Sequence, residues 1–283
     1  MEYFLGIDVG TSSARAGLFD REGTLLAHNT KAIEMWQPRP DFSEQSSEGI
    51  WEAIVQCCKA VRQDADVSAE EIKGIGFDAT CSLVLLDGAD NPVTIDLDGS
   101  DEKNVIVWMD HRALKEADDL NKLSGEHKVF EYVGGKISPE MQIPKLLWIK
   151  KHLPKSWQRA AHFFDLPDYL TYRATGALTR SLCSMTCKWT YLAHEASAGR
   201  AGWQADFLEA AGLEELVQEK YIRVGQDVRP MGEAIGKGLS EKAAQELGLA
   251  AGTKVGASII DAHAGGIGMI GMAEAGGLAP NLD

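Results

Sequence analysis

The chain has 283 residues, 45% hydrophobic and 25% charged, an ordinary globular composition with room for two sizeable cores. Its 28 Lys and Arg against 42 Asp and Glu leave a net charge of −14, which argues against nucleic acid or an anionic membrane as the main partner. No apolar run reaches the ~20 residues of a membrane span, and the start lacks the basic-then-apolar layout of a signal peptide.

Five cysteines, an odd number without paired zinc spacing, point to reduced thiols in a cytoplasmic protein. An apolar run from Tyr3 to Ile7 ends in Asp8-Val9-Gly10-Thr11, followed by a polar corner at Ser12-Ser13. A second alternating run passes through Arg15 to Asp20, Arg21-Glu22-Gly23 signals a turn, and 24–33 reads as a third strand. The chain therefore opens with a three-stranded meander. Its first bend points the Gly10 and Thr11 amides and the Thr11 hydroxyl at one spot, which suits phosphate oxygens. Asp8 can hold a hydrated Mg²⁺ beside them. An ordinary hairpin with a polar tip satisfies the same four residues.

Residues 47–62 read as an amphipathic helix with Ser47 as its cap. Residues 72–78 form a buried strand, 82–87 its continuation or partner, and 105–109 a further strand. That strand runs into Asp110-His111-Arg112 and a helix to about Leu123, while 99–104 is the most exposed loop. Helices are expected at 139–152, perturbed by Pro144, and at 166–174 and 205–217. Residues 254–260 form a short strand, after which 261–268 opens a helix.

Two nucleotide signatures fail. Gly74-Ile75-Gly76-Phe77-Asp78-Ala79 fits G-x-G-x-x-A, but an apolar alternating stretch follows where a dinucleotide site needs a helix. Residues 232–238 (GEAIGKG) fall one residue short of a P-loop and offer Gly238 where a Ser or Thr belongs, so they read as a turn.

Four segments in order carry a third signature: Asp8-Val9-Gly10-Thr11-Ser12-Ser13-Ala14-Arg15, Trp108-Met109-Asp110-His111-Arg112, Lys145-Leu146-Leu147-Trp148 and Ile260-Asp261-Ala262-His263-Ala264-Gly265-Gly266. Together they resemble the FGGY family of carbohydrate kinases over essentially the whole chain. The resemblance implies an α/β fold, a ribonuclease H-like domain of the actin, hexokinase and Hsp70 superfamily with a mixed sheet flanked by helices. It also implies ATP as phosphoryl donor, Mg²⁺, and a small-molecule sugar or polyol as acceptor, with no nucleic acid or membrane partner and with room for a homodimer. One departure is local: the family has Ser, Thr or Pro three residues before the signature Lys, and this chain has Gln142.

By the same resemblance Asp261 is the catalytic base, although the position also suits a helix N-cap. Gly10, Thr11 and Ser12 would cradle ATP phosphates and Asp8 would act through the metal. Arg15 faces either that cleft or solvent. The segment Thr80-Cys81-Ser82-Leu83-Val84 resembles the ribulokinase branch, and D-ribulose kinases in particular. Asp78, at the same strand end, is a candidate for a sugar hydroxyl. Lys188 matches a ribulokinase lysine that reaches substrate, or is a solvated lysine beside Trp189. Trp108 and Asp110 line the pocket, or Asp110 and Arg112 pair to stabilise a corner; Glu140 is a further pocket candidate. L-ribulose, D-xylulose or a pentitol remain alternative acceptors, and a catalytically silent sugar-binding domain an alternative role. Residues 1–270 are expected to be the N-terminal sugar-binding and phosphate-cradle domain, and 271–283 the start of a connection to a nucleotide-binding domain that is absent. Such a chain alone would bind sugar weakly and turn over slowly or not at all.

Overall fold

Leu5, Ile7 and Val9 alternate with less buried neighbours, so the first strand packs one face on a core and leaves Asp8 on the other. The computed structural model describes residues 1–270; the expected connection at 271–283, with Gly276-Gly277-Leu278, lies outside the described residues. In chain order the strands are β1 (Tyr3–Val9), β2 (Ser13–Phe19), β3 (Leu25–Ala32), β4 (Glu44–Gln45), β5 (Ile72–Ala79), β6 (Leu83–Leu86), β7 (Val105–Ile106), β8 (His162–Asp165), β9 (Arg180–Ser181), β10 (Val228–Arg229), β11 (Lys254–Val255) and β12 (Ile259–Ile260). The helices are α1 (Ser47–Asp64), α2 (Leu114–Leu120), α3 (Gln142–His152), α4 (Pro154–Arg159), α5 (Leu166–Thr175), α6 (Leu182–Lys188), α7 (Ala193–Ser197), α8 (Ala205–Ala210), α9 (Glu214–Gln218), α10 (Glu241–Leu247) and α11 (Asp261–Ile270). Among the described residues no helix is long and apolar enough to cross a membrane.

The main sheet is mixed. It runs β11-β5-β1-β2-β3, with β12 also pairing β5. The meander β1–β2–β3 is antiparallel, whereas β5 joins β1 in parallel and β11 and β12 join β5 in parallel. Helix α1 covers the meander with Ile50, Trp51, Ile54, Cys57, Cys58 and Val61, all buried. A second sheet, β4-β7-β6-β8, is antiparallel and carries its own core of Leu83, Leu85, Ile106, Trp148, Phe163 and Trp189. Residues 80–82 step directly from β5 to β6, so the strand at 82–87 belongs to the second sheet rather than extending the first.

Several boundaries differ from expectation for local reasons. Ser46, not Ser47, caps α1: it is extended and its hydroxyl accepts the Gly49 N–H at 3.1 Å. Ser47 is instead buried, held by Asn104 through two bonds of 2.9 Å. The loop at 99–104 is therefore pinned at its far end, with Lys103 near Glu44 and Asp96. Pro144 does not kink α3. The helix begins at Gln142, so the proline sits in the first turn, where its missing N–H has no intrahelical partner to lose. The helix expected at 205–217 breaks into α8 and α9 around Gly212, whose φ of 83° is left-handed. Residues 254–260 split into β11 and β12 around Gly256, which donates to the Ile75 carbonyl of β5 at 3.0 Å and also bridges Ala234. Both rejected nucleotide signatures are confirmed as structural, since Gly74 and Gly76 lie inside β5 and 232–238 form turns. A side chain at Gly238 would meet the Thr253 carbonyl at 2.5 Å.

Strand β7 stops at Ile106 because the carbonyls of Val107 and Trp108 are taken by the Lys145 ammonium, at 3.0 and 3.3 Å. Lys145 is fully buried, and burial pulls its ammonium down from 10.5 to about 8, against the nearby charges of Asp110 and Asp165. Between those two values the unfolded chain binds the extra proton, so stability rises with pH across that window and is flat in this respect below it. Urea unfolding at pH 7.5, 9 and 10.5 should therefore show the native chain gaining on Lys145→Met as pH rises. A constant difference would contradict a buried, depressed lysine.

Candidate active site

Parallel pairing aligns three aspartates at one end of the main sheet. Asp8 of β1 stands opposite Asp78 of β5 in register, and Ile259 of β12 pairs with Asp78 on its other side, delivering Asp261 at the start of α11. Antiparallel register puts Arg15 of β2 on the far side of Asp8, and its Nη1 donates to Asp8 Oδ2 at 2.8 Å. Arg15 is thus exposed yet paired with Asp8. Asp78 is half-buried. Its carboxyl is pushed up to about 7, first by burial and then by the charges on Asp8 and Asp261. Asp261 is half-buried, and its Oδ1 accepts the Ala262 N–H at 2.7 Å rather than the later amides that an N-cap would satisfy.

Beside this row lies a cleft of about 330 Å³ lined by Thr11, Thr80, Cys81, Trp108, Glu140, Lys188, Ile260, Asp261 and Ala262. Both sheets contribute. Trp108 follows β7 of the second sheet and its indole Nε1 donates to the Thr11 hydroxyl at 3.0 Å, while Gln45 Nε2 holds the Thr11 carbonyl at 2.8 Å. Thr11 therefore belongs to the cleft wall as well as the hairpin tip. Lys188 ends α6 and has no ion pair among the described residues. Glu140 is approached by His111 Nε2 at 3.3 Å.

Other expected site residues fall elsewhere. Asp110 is fully buried with both oxygens occupied, by the Ser43 N–H at 2.7 Å and by Arg112 at 2.8–3.0 Å. It is a corner residue and not a wall of the cleft; the Arg112 guanidinium it holds also stacks over Phe42 and Trp148. Ser82 is fully buried behind the wall, accepting the Trp108 N–H at 3.1 Å and lying 3.2 Å from the Thr80 hydroxyl. The Gly10 N–H does not point outward, since it closes the hairpin on the Ser13 carbonyl at 3.0 Å. What Gly10 supplies is room, because a Cβ there would lie 3.3 Å from Arg15 Nη2. The amides of Thr11 and Ser12 donate to no acceptor among the described residues. Ser12 itself is exposed.

Sequence reasoning missed the supports. Gln142, the departure from the family signature, donates to the Cys81 carbonyl at 3.2 Å and to Asp165 at 3.1 Å, fixing the wall from behind. Trp189 Nε1 donates to the same Asp165 oxygen at 2.7 Å. Burial, with the charge on Asp168, raises the Asp165 carboxyl to about 7. Asp168 is fully buried and ties α6 to the strand before Asp261. It accepts the Ser181 N–H at 2.8 Å, the Ser184 hydroxyl at 2.6 Å and the Ser258 hydroxyl at 3.0 Å. Isolated polar residues among apolar ones, at 142, 165 and 168, were the only sequence signal for this layer.

Residues 3–268 match the family model described as the FGGY family of carbohydrate kinases, N-terminal domain. The chain belongs to the FGGY family. It is 48% identical over 270 residues to an FGGY carbohydrate kinase domain-containing protein of Homo sapiens, covering 95% of this chain and 47% of that one. A D-ribulokinase of Saccharomyces cerevisiae is 41% identical over 277 residues, covering 95% of this chain and 38% of that protein. The chain thus spans about half or less of the length of these curated relatives. Its fold is that of a ligand-bound xylulose kinase from Lactobacillus acidophilus, with TM-score 0.78 at 20% identity, over 96% of this chain and 51% of that one. The expected mixed-sheet, ribonuclease H-like architecture is borne out by that likeness.

The carboxylate row of this FGGY chain fits a magnesium ion. Among the described residues no three or more His, Cys, Asp and Glu side chains form a ready-made metal cage. Magnesium does not need one: it keeps most of its water and takes one or two carboxylates plus phosphate oxygens. Asp8 and Asp78 supply hard oxygens side by side, and the crowding that raises Asp78 is what a cation between them relieves. In EDTA, the Asp78 contribution to stability is fully present below about 3.8 and lost as pH rises toward about 7. Asp78→Asn should therefore gain on the native chain in thermal unfolding between pH 4 and pH 7 and level off above. A gain that shrinks over that window would show that Asp78 is not crowded.

Proposed function

We propose that this chain forms the sugar site and phosphate cradle of an ATP-dependent kinase whose acceptor is a ketopentose, D-ribulose foremost. The observation that carries the proposal is Asp261 on the edge of a polar cleft, beside a row of carboxylates and an unpaired lysine. In this reading residues 1–270 are the N-terminal domain and 271–283 lead toward the part that holds the nucleotide.

Each residue then has a task. Asp261 accepts, or at least orients, the proton of the attacking hydroxyl as the phosphorus–oxygen bond forms. Lys188 donates to sugar oxygens from the opposite wall, and Glu140, steadied by His111, accepts from sugar hydroxyls. Thr80 and Cys81 are small, leaving space for a flexible five-carbon chain, and the Thr11–Trp108 bond fixes the floor. The free amides of Thr11 and Ser12 face phosphate oxygens. Asp8, positioned by Arg15, and Asp78 would hold Mg²⁺, which when bound neutralises charge on the phosphoryl oxygens. The D-ribulose assignment is supported by Thr80-Cys81-Ser82-Leu83-Val84 and by the similarity to the yeast D-ribulokinase.

Thermal unfolding against D-ribulose, L-ribulose, D-xylulose and glycerol tests the acceptor. D-ribulose should give the largest upward shift, since ligand at a hundredfold excess over Kd adds about 2.7 kcal/mol. A larger shift with D-xylulose or glycerol would reassign the acceptor. Asp261→Asn should keep the D-ribulose shift and, in any preparation that turns over, lower kcat by about 10²–10⁴-fold with KM little changed. Unaltered turnover in that variant would remove Asp261 from the chemistry.

A further inference from the structure

Helix α6 carries two thiols one turn apart, Cys183 buried and Cys187 exposed. Cys183 Sγ also lies 2.9 Å from His263 Nδ1, on α11 two residues past Asp261. Cys187 immediately precedes Lys188, which lines the cleft. The pair therefore sits under the side chain assigned to the sugar.

The surroundings separate Cys187 from the other cysteines. Its thiol is pulled down to about 6, first by the neighbouring Cys183 thiol and then by His263 and Lys188. That neighbour, together with burial, pushes Cys183 up, so the proton of the pair rests on Cys183, against His263. Cys57, Cys58 and Cys81 are buried and pushed up by burial, which makes them poor nucleophiles.

We propose that Cys183 and Cys187 are an oxidisable dithiol, a modification site at which a hydroperoxide closes a disulfide and withdraws Lys188 from the cleft. The thiolate of Cys187 attacks the terminal peroxide oxygen; the sulfur–oxygen bond forms, the oxygen–oxygen bond breaks, and the other oxygen leaves as hydroxide or alkoxide that takes a proton from water, so the peroxide is reduced as the sulfur becomes a sulfenic acid. Cys183 then attacks the Cys187 sulfur, passing its proton to His263; the sulfur–sulfur bond forms and hydroxide leaves, taking up that proton as water. Helical residues four apart hold their Cβ atoms about 5–6 Å apart, whereas a disulfide needs about 3.5–4.5 Å. Closing the bridge must therefore open the last turn of α6, and that turn ends in Lys188. The withdrawal of Lys188 matters to function only on the sugar-site reading given above.

Both cysteines fall in one tryptic peptide, 181–188, so the bridge reads as a loss of two hydrogens in its mass. Treating the reduced chain with hydrogen peroxide should produce that loss before any change at Cys57, Cys58 or Cys81. Cys183→Ser should stop at a sulfenic acid trapped by dimedone, and Cys187→Ser should give neither product. The D-ribulose shift should vanish on oxidation and return with dithiothreitol, while Cys187→Ser keeps its shift in peroxide. Oxidation of the other cysteines first, or a closed bridge that leaves the sugar shift intact, would overturn the proposal. If the reduced chain shows no sugar shift, the functional reading fails on its own. The dithiol is then decided by the peptide mass and by acylation of Lys188, which must change rate when the bridge closes.

Discussion

Three parallel strand ends arriving at one level are what the rest of this molecule is arranged around. Pairing of β5 with β1, and of β12 with β5, leaves Asp8, Asp78 and Asp261 no choice but to be neighbours. Like charges in a half-buried row are unfavourable, and the raised carboxyl of Asp78 records that cost. Arg15 relieves one end of the row, held there by antiparallel register, and the other carboxylates have no such partner among the described residues. A bound cation, or a proton, would relieve the rest of the row.

The second sheet converts the row into a cleft. Trp108 reaches from it to Thr11, and Lys145 fixes the backbone on which Trp108 stands. Gln142 and Asp165 brace Cys81 and Trp189. Asp168 joins α6 and the segment before β12, so the elements that carry Lys188 and Asp261 share a buried anchor. Cys81, Cys183 and Ile260 pack together behind the cleft.

Much of this was legible in the sequence. The first two strands, α1 and β5 declared themselves through alternation and helical spacing, because each buries one face against a single core. Candidate residues at strand ends stood out through short motifs whose chemistry depends on local backbone, as at Asp8, Thr11 and Asp261. What stayed hidden depended on contacts distant in sequence. Ser82 and Asp110 look like pocket residues by type, but Trp108 and Arg112 occupy them from behind. Gly10 looks like a phosphate cradle until Ser13 takes its amide. Gln142, Asp165 and Asp168 have no motif at all, since their meaning lies in partners on other elements.

The order of strands in the main sheet also bears on how such a chain is made. The meander, α1 and β5 are contiguous in the first third of the sequence, whereas β11 and β12, which complete the sheet beside β5, come near the end of the described residues. On a ribosome, where folding proceeds from the N-terminus as chain emerges, the carboxylates Asp8 and Asp78 are in place long before Asp261 exists. Long-range parallel pairing is the slow step of such topologies. The edge of β5 must therefore wait unpaired while residues 80–253 are made, a nascent-chain hazard that chaperone binding at that edge would suppress.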